Sequence, residues 1–533
     1  MSDVTIIGSG ASGVHFALSL VKKGLRVTMI DVGYEKPKNI NNEDSYDELK
    51  NNLKDPVSYF LGKEFESVVS PEFAKEIYGF SPNKKYIFKT PDNFKVKERG
   101  FESLFSFAQG GLAEAWTAGS YAFNNDDFED FPFDYEDMQP YYNEIAERIG
   151  VIGTDDDLAK FIPFHNNLMS PLEFDEHSAL LDDSYKKNKD IINEMGVFLG
   201  RSRIAVLSKD KGKRKACDYS GRCMWNCPTD SIYVPSITLN ELKTYDNFTY
   251  MSGIKVSHFN YQNGQIFELV GDNIYSNKRE TFKINKLVLA AGTLSSSKIF
   301  LDSIYFSTGE IHKLRGLMDN RQILVPFINL KMIGKPYNPD TYQYHQLAIG
   351  IEAEKPKEYI HGQITSLKTA LMQPALQTMP LDYKTAIFLG KNLHSALGVF
   401  NINFHDFRRE ENYVSVKEYI NNKTNMLIQY SPSKNEKERI QFAIKKVKKF
   451  LMKVGAIVPP GQTHIRPMGA SVHYSGTIPM TTNKEKFTVT PNCKSNDFDN
   501  LYFVDGTPFP FLPAKNLTFS LMANAARVAD KEF

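Results

Sequence analysis

The stretch Val4-Thr5-Ile6-Ile7-Gly8-Ser9-Gly10-Ala11-Ser12-Gly13-Val14 decides the reading of the fold. Val4–Ile7 is a short β-branched run that predicts a strand, and the glycines follow at once. Val14–Lys23 then carries Phe16, Ala17, Leu20 and Val21 at helical spacing, Gly24 closes the helix, and Arg26–Ile30 predicts a second strand stopping at Asp31. Gly8, Gly10 and Gly13 thus form G-x-G-x-x-G between a strand and a helix. There the first glycine permits a tight turn, the second lets backbone approach a pyrophosphate, and the third lets helix and strand pack closely. Ala11 and Ser12 open the helix, whose free N–H groups and positive dipole suit phosphates. Asp31 is placed to accept hydrogen bonds from a ribose hydroxyl. The pattern predicts a dinucleotide site, and by itself it does not separate FAD from NAD.

Working outward, 533 residues are enough for two lobes with a sizeable core. Lys and Arg total 64 against 63 acids, so no global field draws the chain to nucleic acid or an anionic bilayer. The basic cluster Lys209–Lys215 reads as a solvated loop. No apolar run approaches the ~20 residues of a spanning helix, and the start resembles a strand and not a signal segment, so the expectation is a cytoplasmic chain. Cys217, Cys223 and Cys227 crowd into one short stretch, with Cys493 far away. That distribution does not suit a disulfide framework and leaves a metal or redox role, or buried thiols.

The segment Lys36–Lys95 is polar and predicts surface excursions. Tyr135–Gly150 reads as a helix with Met138, Tyr141, Tyr142, Ile145 and Ile149 on its buried side. Ile323–Met332, Gln346–Ile351, Tyr359–Ile364, Leu397–Phe404 and Met426–Tyr430 have strand character and predict one antiparallel sheet, followed by an amphipathic helix over Glu438–Val454. Leu287–Ala291 and Leu501–Val504 are short buried strands that belong with the first lobe. The expected division is a cofactor domain over most of 1–320, with a cysteine loop at 217–228, an inserted substrate domain over 321–458, and a return to the cofactor domain over 459–533.

Near the C-terminus the chain reads Ser471-Val472-His473-Tyr474-Ser475-Gly476-Thr477, then Asn500 to Thr507 with Asp505-Gly506, then Pro513-Ala514-Lys515-Asn516-Leu517-Thr518. This order and spacing resembles the glucose-methanol-choline (GMC) family of FAD-dependent alcohol oxidoreductases. Leu287 to Thr293, Gln109-Gly110-Gly111 with Trp116, and Phe133 to Tyr142 resemble the same family. The resemblance implies an α/β, Rossmann-like FAD-binding domain assembled from discontinuous segments, with an inserted substrate domain built on an antiparallel sheet and helices. It implies cofactor contacts at Gly110, Gly111, Val256, Gly292, Asp505, Gly506, Asn516, Leu517 and Thr518. It also implies oxidation of an alcohol by hydride transfer to flavin, with His473 as base and Asn516 as its partner. The residue types suit that chemistry, because the hydroxyl proton needs a base titrating near neutrality and the developing alkoxide needs a donor that does not compete for the proton.

In some members of the family a histidine after the paired glycines bonds covalently to flavin. The matching position here is Ala115, so non-covalent FAD is expected. The run Cys217 to Pro228 resembles the bacterial ferredoxin motif with Ser220 in place of the second thiolate, and some GMC-type sugar dehydrogenases carry a 3Fe-4S cluster at such a motif. Cys217, Cys223 and Cys227 are therefore candidate ligands, against the alternative of a structural loop without iron. The favoured substrate is a sugar or other polar alcohol. The alternatives are a sterol or long-chain alcohol, and a flavin-dependent isomerase or synthase in glycan or secondary-metabolite biosynthesis. The residues do not specify the electron acceptor or the oligomeric state.

Overall fold

The computed structural model describes all residues except 1, 38–43, 66, 68–75, 77–79, 164–166, 337, 367, 369–380 and 421–422. The opening motif folds as its pattern dictates: strand Val4–Ile7, helix Ala11–Lys22 and strand Val27–Ile30. Val4–Ile7 is buried along its whole length and lies at the centre of a five-stranded parallel sheet ordered Leu501–Phe503, Lys286–Leu289, Val4–Ile7, Val27–Ile30, Phe248–Met251. Continuous apolar runs suit such strands because helices cover both faces. Helix Ala11–Lys22 packs on the C-terminal helix Thr518–Glu532, which in turn packs on Tyr135–Ile149. Asp134 starts the last of these with a capping box, accepting from the Asp137 N–H while the Asp137 carboxylate accepts from its own.

A second, antiparallel sheet of seven strands runs Ala456–Ile457, Gln322–Asn329, Leu397–Asn403, Ile360–Ser366, Leu347–Ile351, Val197–Arg201, with His464–Ile465 paired to Gln322–Asn329. Ile323, Val325 and Phe327 alternate toward helix Glu436–Lys453 and pack with Val447, Phe450 and Leu451. On Ile360–Ser366, Ile360 and Ile364 join that core. The period of two therefore sends His361 and Gln363 to the opposite face.

Two expectations change. Met426–Tyr430 does not join the large sheet: Lys423–Gln429 pairs with Tyr413–Ile420 and Val96–Arg99 in a separate four-stranded sheet. The reason is packing, since Val414, Val416, Met426 and Ile428 are buried in the core of the cofactor lobe. The Lys36–Lys95 segment, of which residues 38–43, 66, 68–75 and 77–79 lie outside the described residues, is more than a surface excursion. Its helices Tyr46–Asn52 and Pro56–Leu61 bury Tyr46, Leu49 and Phe60 against Trp225 of the cysteine loop. Among the described residues no helix is long and apolar enough to cross a membrane.

Candidate active site

The glycine turn opens one end of a cavity of about 270 Å³ lined by Gly8, Gly10, Ala11, Ser12 and Asp31. Gly8 sits at φ +99°, and a Cβ there would meet the Ala290 carbonyl oxygen at 2.7 Å. A Cβ on Gly13 would lie 2.3 Å from the Gly8 carbonyl oxygen, so Gly13 is the strand–helix packing position and does not itself line the cavity. Asp31 accepts from the Ser9 hydroxyl and, at 3.3 Å, from the Tyr250 hydroxyl, while burial pushes its pKa up to about 6. Ser9 in turn accepts from the Gly110 N–H at 3.1 Å, which ties the paired glycines to the first turn.

Of the other expected cofactor contacts, Gly111, Val256, Gly292, Asp505, Gly506, Leu517 and Thr518 line the same cavity, while Gly110 and Asn516 are not among its lining residues. Asp505 is buried, and both its oxygens are engaged, one by the Ser296 hydroxyl at 2.5 Å and the other by the Thr507 N–H and hydroxyl. Burial raises its pKa. Sequence reasoning missed, among others, Phe94, the segment 104–108, and Lys255, Arg279 and Lys298, which also line the cavity.

His473 lies between Val472 and Tyr474, both lining residues, and Asn516 immediately precedes Leu517 and Thr518. Val472 holds φ +65°, a strained value for a β-branched residue, and it fixes the direction in which the next side chain leaves the turn. Two further residues set the protonation of His473. The Asn320 amide nitrogen faces the carbonyl oxygens of Phe404 at 2.7 Å and Pro513 at 2.9 Å, which can only accept. Asn320 Oδ1 must then be the atom 3.0 Å from His473 Nδ1, so Nδ1 carries the proton and Nε2 keeps its lone pair. Asn516 Nδ2 stands 3.4 Å from that Nε2, and Asn516 Oδ1 accepts from Gln363 Nε2 at 2.6 Å. One polarity runs through the whole chain of side chains. Burial, with Arg466 nearby, lowers the His473 pKa to about 4.

Behind this pair is a buried polar layer. His361 has neither ring nitrogen hydrogen-bonded, and its ring meets Tyr121 at 4.4 Å. Burial drives the His361 and His345 pKa values down to about 3, so both rings are neutral. Lys515 and Asp127 form a fully buried ion pair beside them.

The cysteine loop does not fit a cluster. Burial pushes the Cys217 thiol up to about 12 and the Cys223 thiol well above its ordinary value, so both are protonated thiols in this structure. The Cys223 sulfur accepts from the Gln343 N–H at 3.4 Å, and the Cys227 sulfur lies 3.1 Å from the Ser231 hydroxyl. Among the described residues no group of three or more His, Cys, Asp or Glu is arranged to hold a metal ion. The expectation of iron ligation by Cys217, Cys223 and Cys227 is accordingly unsupported. Instead the loop anchors the segment before it: Tyr46 N–H donates to the Ser220 carbonyl at 2.8 Å, the Ser81 hydroxyl to the Met224 carbonyl at 2.7 Å, and Phe60 packs on Trp225 at 4.9 Å.

A flavoenzyme-like cofactor lobe, with a histidine and an asparagine whose chain neighbours line its cavity, is the class that fold and site define. Residues 408–525 match the family model described as GMC oxidoreductase. Along 99% of its length the chain is 20% identical to 6'''-hydroxyparomomycin C oxidase of Streptomyces lividus, covering 90% of that protein. It is 24% identical to the fructose dehydrogenase large subunit of Gluconobacter japonicus over 44% of this chain and 41% of the relative. In structure it is similar to pyridoxine 4-oxidase from Mesorbium loti, with a TM-score of 0.61 at 13% identity over 100% of this chain and 99% of that one. A formate oxidase superposes with a TM-score of 0.61 at 11% identity, over 99% of this chain and 97% of that one.

Proposed function

We propose that this chain oxidises a hydroxyl of a small polar alcohol, a sugar or other polyol, to a carbonyl, with non-covalently held FAD. The observation that carries the reading is the fixed tautomer of His473, whose unprotonated Nε2 stands beside the Asn516 amide. The residues present fit FAD: a glycine cradle that a Cβ would fill, a helix N-terminus, and a carboxylate at the end of the second strand. Gly8, Gly10, Ala11, Ser12 and Asp31 would hold its ADP half, and Val256, Gly292, Gly506, Leu517 and Thr518 the remainder. When bound, FAD supplies the hydride acceptor.

The chain's own residues do the proton work. His473 Nε2, which keeps its lone pair, accepts the substrate hydroxyl proton; burial leaves the ring neutral with a pKa of about 4, lower than the near-neutral base expected from the sequence. The resulting imidazolium is held by Asn320 Oδ1 at Nδ1. The 3.4 Å gap between Nε2 and Asn516 Nδ2 is long for a hydrogen bond, so a substrate oxygen can take both as partners. Asn516 then donates to that oxygen as negative charge develops on it. Ala115 offers no side-chain atom for a covalent flavin bond. Two experiments test the proposal: an anaerobic screen of sugars, polyols, aliphatic alcohols and sterols by flavin bleaching, and acid denaturation, which should release the flavin. Flavin left in the pellet would refute non-covalent attachment, and bleaching by sterols alone would refute the polar substrate.

A further inference from the structure

We propose that Gln363 is a positioning residue that keeps the Asn516 amide turned with its nitrogen toward His473 and its oxygen away. This rests on the reading of His473 and Asn516 given above. Gln363 Nε2 donates to Asn516 Oδ1 at 2.6 Å, and Gln363 itself is 3% exposed. It comes from the central strand Ile360–Ser366 of the large sheet, whose other face is locked into the core by Ile360 and Ile364, so its backbone has little freedom. Gly119 lies directly against this contact. A Cβ there would lie 3.1 Å from both Asn516 Oδ1 and Gln363 Nε2, so a larger residue would press on both partners of the bond.

An asparagine amide reads almost the same shape in either orientation, so only its partners decide which atom faces the base. His473 Nε2 alone favours the nitrogen by one long contact. The Gln363 donor adds a second, shorter bond that the flipped orientation would turn into donor facing donor. Without it Asn516 is free to turn its oxygen to Nε2. An oxygen there cannot donate to a developing alkoxide, and it stabilises a proton on Nε2. Gln363 therefore acts through Asn516 on both the charge state of the base and the stabilisation of the substrate oxygen, without touching substrate itself.

The test uses flavin-loaded protein carrying ring-15N histidine, with His473→Asn identifying the His473 resonances. No substrate is needed. Gln363→Met removes the donor without adding charge, and the pH at which His473 takes its proton is expected to rise by about one unit, the equivalent of one charge-assisted hydrogen bond. Gln363→Lys keeps a donor, and its titration is expected to stay at or below that of the wild type. With a polyol that bleaches the flavin, Gln363→Met should slow flavin reduction by about tenfold at nearly constant KM, with Gln363→Lys faster than Gln363→Met. A residue that only filled space would give the reverse order, because the buried lysine would be the more disruptive change. An unchanged His473 titration in Gln363→Met, or an equal rise in Gln363→Lys, would overturn the proposal. A His473→Asn protein that reduced its flavin at the wild-type rate would remove the base role and leave the titration result for Gln363 standing.

Discussion

His361→Phe tests the polar layer behind the reacting pair through stability. The imidazole is fully buried, neither nitrogen is hydrogen-bonded, and its pKa is driven from 6.5 to about 3 by burial. A base whose pKa is depressed by folding is protonated in the unfolded chain before it is protonated in the native one. Between those two values the unfolded state binds more protons, so stability rises with pH across the window from about 3 to 6.5 and falls on acidification. From about pH 7.5 to about pH 5 this single group removes about 2 kcal/mol of stability. Phenylalanine keeps a ring against Tyr121 and has no proton to bind. Urea unfolding of the two proteins at both pH values, at the same FAD concentration, measures the difference directly. The wild type should lose about 2 kcal/mol more than the variant over that interval. Equal losses would show that His361 is not a buried neutral imidazole, and the description of the layer would be wrong.

Other consequences are more local. Gly13→Ala places a methyl group against the Gly8 carbonyl oxygen, and the purified variant should be colourless or nearly so; normal flavin absorbance would refute the assigned close approach. Lys515→Met leaves Asp127 as an uncompensated buried charge and should cost about 3–5 kcal/mol in chemical unfolding, with Lys515→Met/Asp127→Leu recovering much of it. Iron and labile sulfide should both be far below stoichiometric in anaerobically purified protein, because the Cys223 and Cys227 sulfurs are engaged by the Gln343 N–H and the Ser231 hydroxyl; stoichiometric iron and sulfide would reassign that loop.

The parts of this molecule that could be read from sequence are those whose signal is local. The turn from Ile7 to Gly13 needs particular residue types at fixed spacing, so it declares itself, and the strands at Lys286–Leu289 and Leu501–Phe503 are legible as apolar runs ending in small residues. What failed depends on partners distant in the chain. Periodicity identifies Met426–Gln429 as strand but cannot say which sheet its buried face joins. Val197–Arg201, a glycine-containing edge strand, and the aromatic anchors Tyr46 and Phe60 inside a polar stretch carry too few periodic residues to stand out. In the candidate site, His473 and Asn516 are carried by one C-terminal segment, so one stretch of sequence presents both. Asn320 and Gln363 reach them from the substrate sheet region, 153 positions away in each case, and nothing in their own neighbourhoods marks them.

The central claim is that His473, in the tautomer fixed by Asn320, removes the hydroxyl proton. The direct measurement is anaerobic stopped-flow reduction of the bound flavin by a polyol substrate, in wild type and His473→Asn, as a function of pH. The wild-type rate should stay level through neutral pH and fall only as the pH drops toward about 4, where Nε2 becomes protonated. His473→Asn should bind FAD normally and reduce it about 10²- to 10⁴-fold more slowly. A variant that reduces its flavin as fast as the wild type would contradict the account.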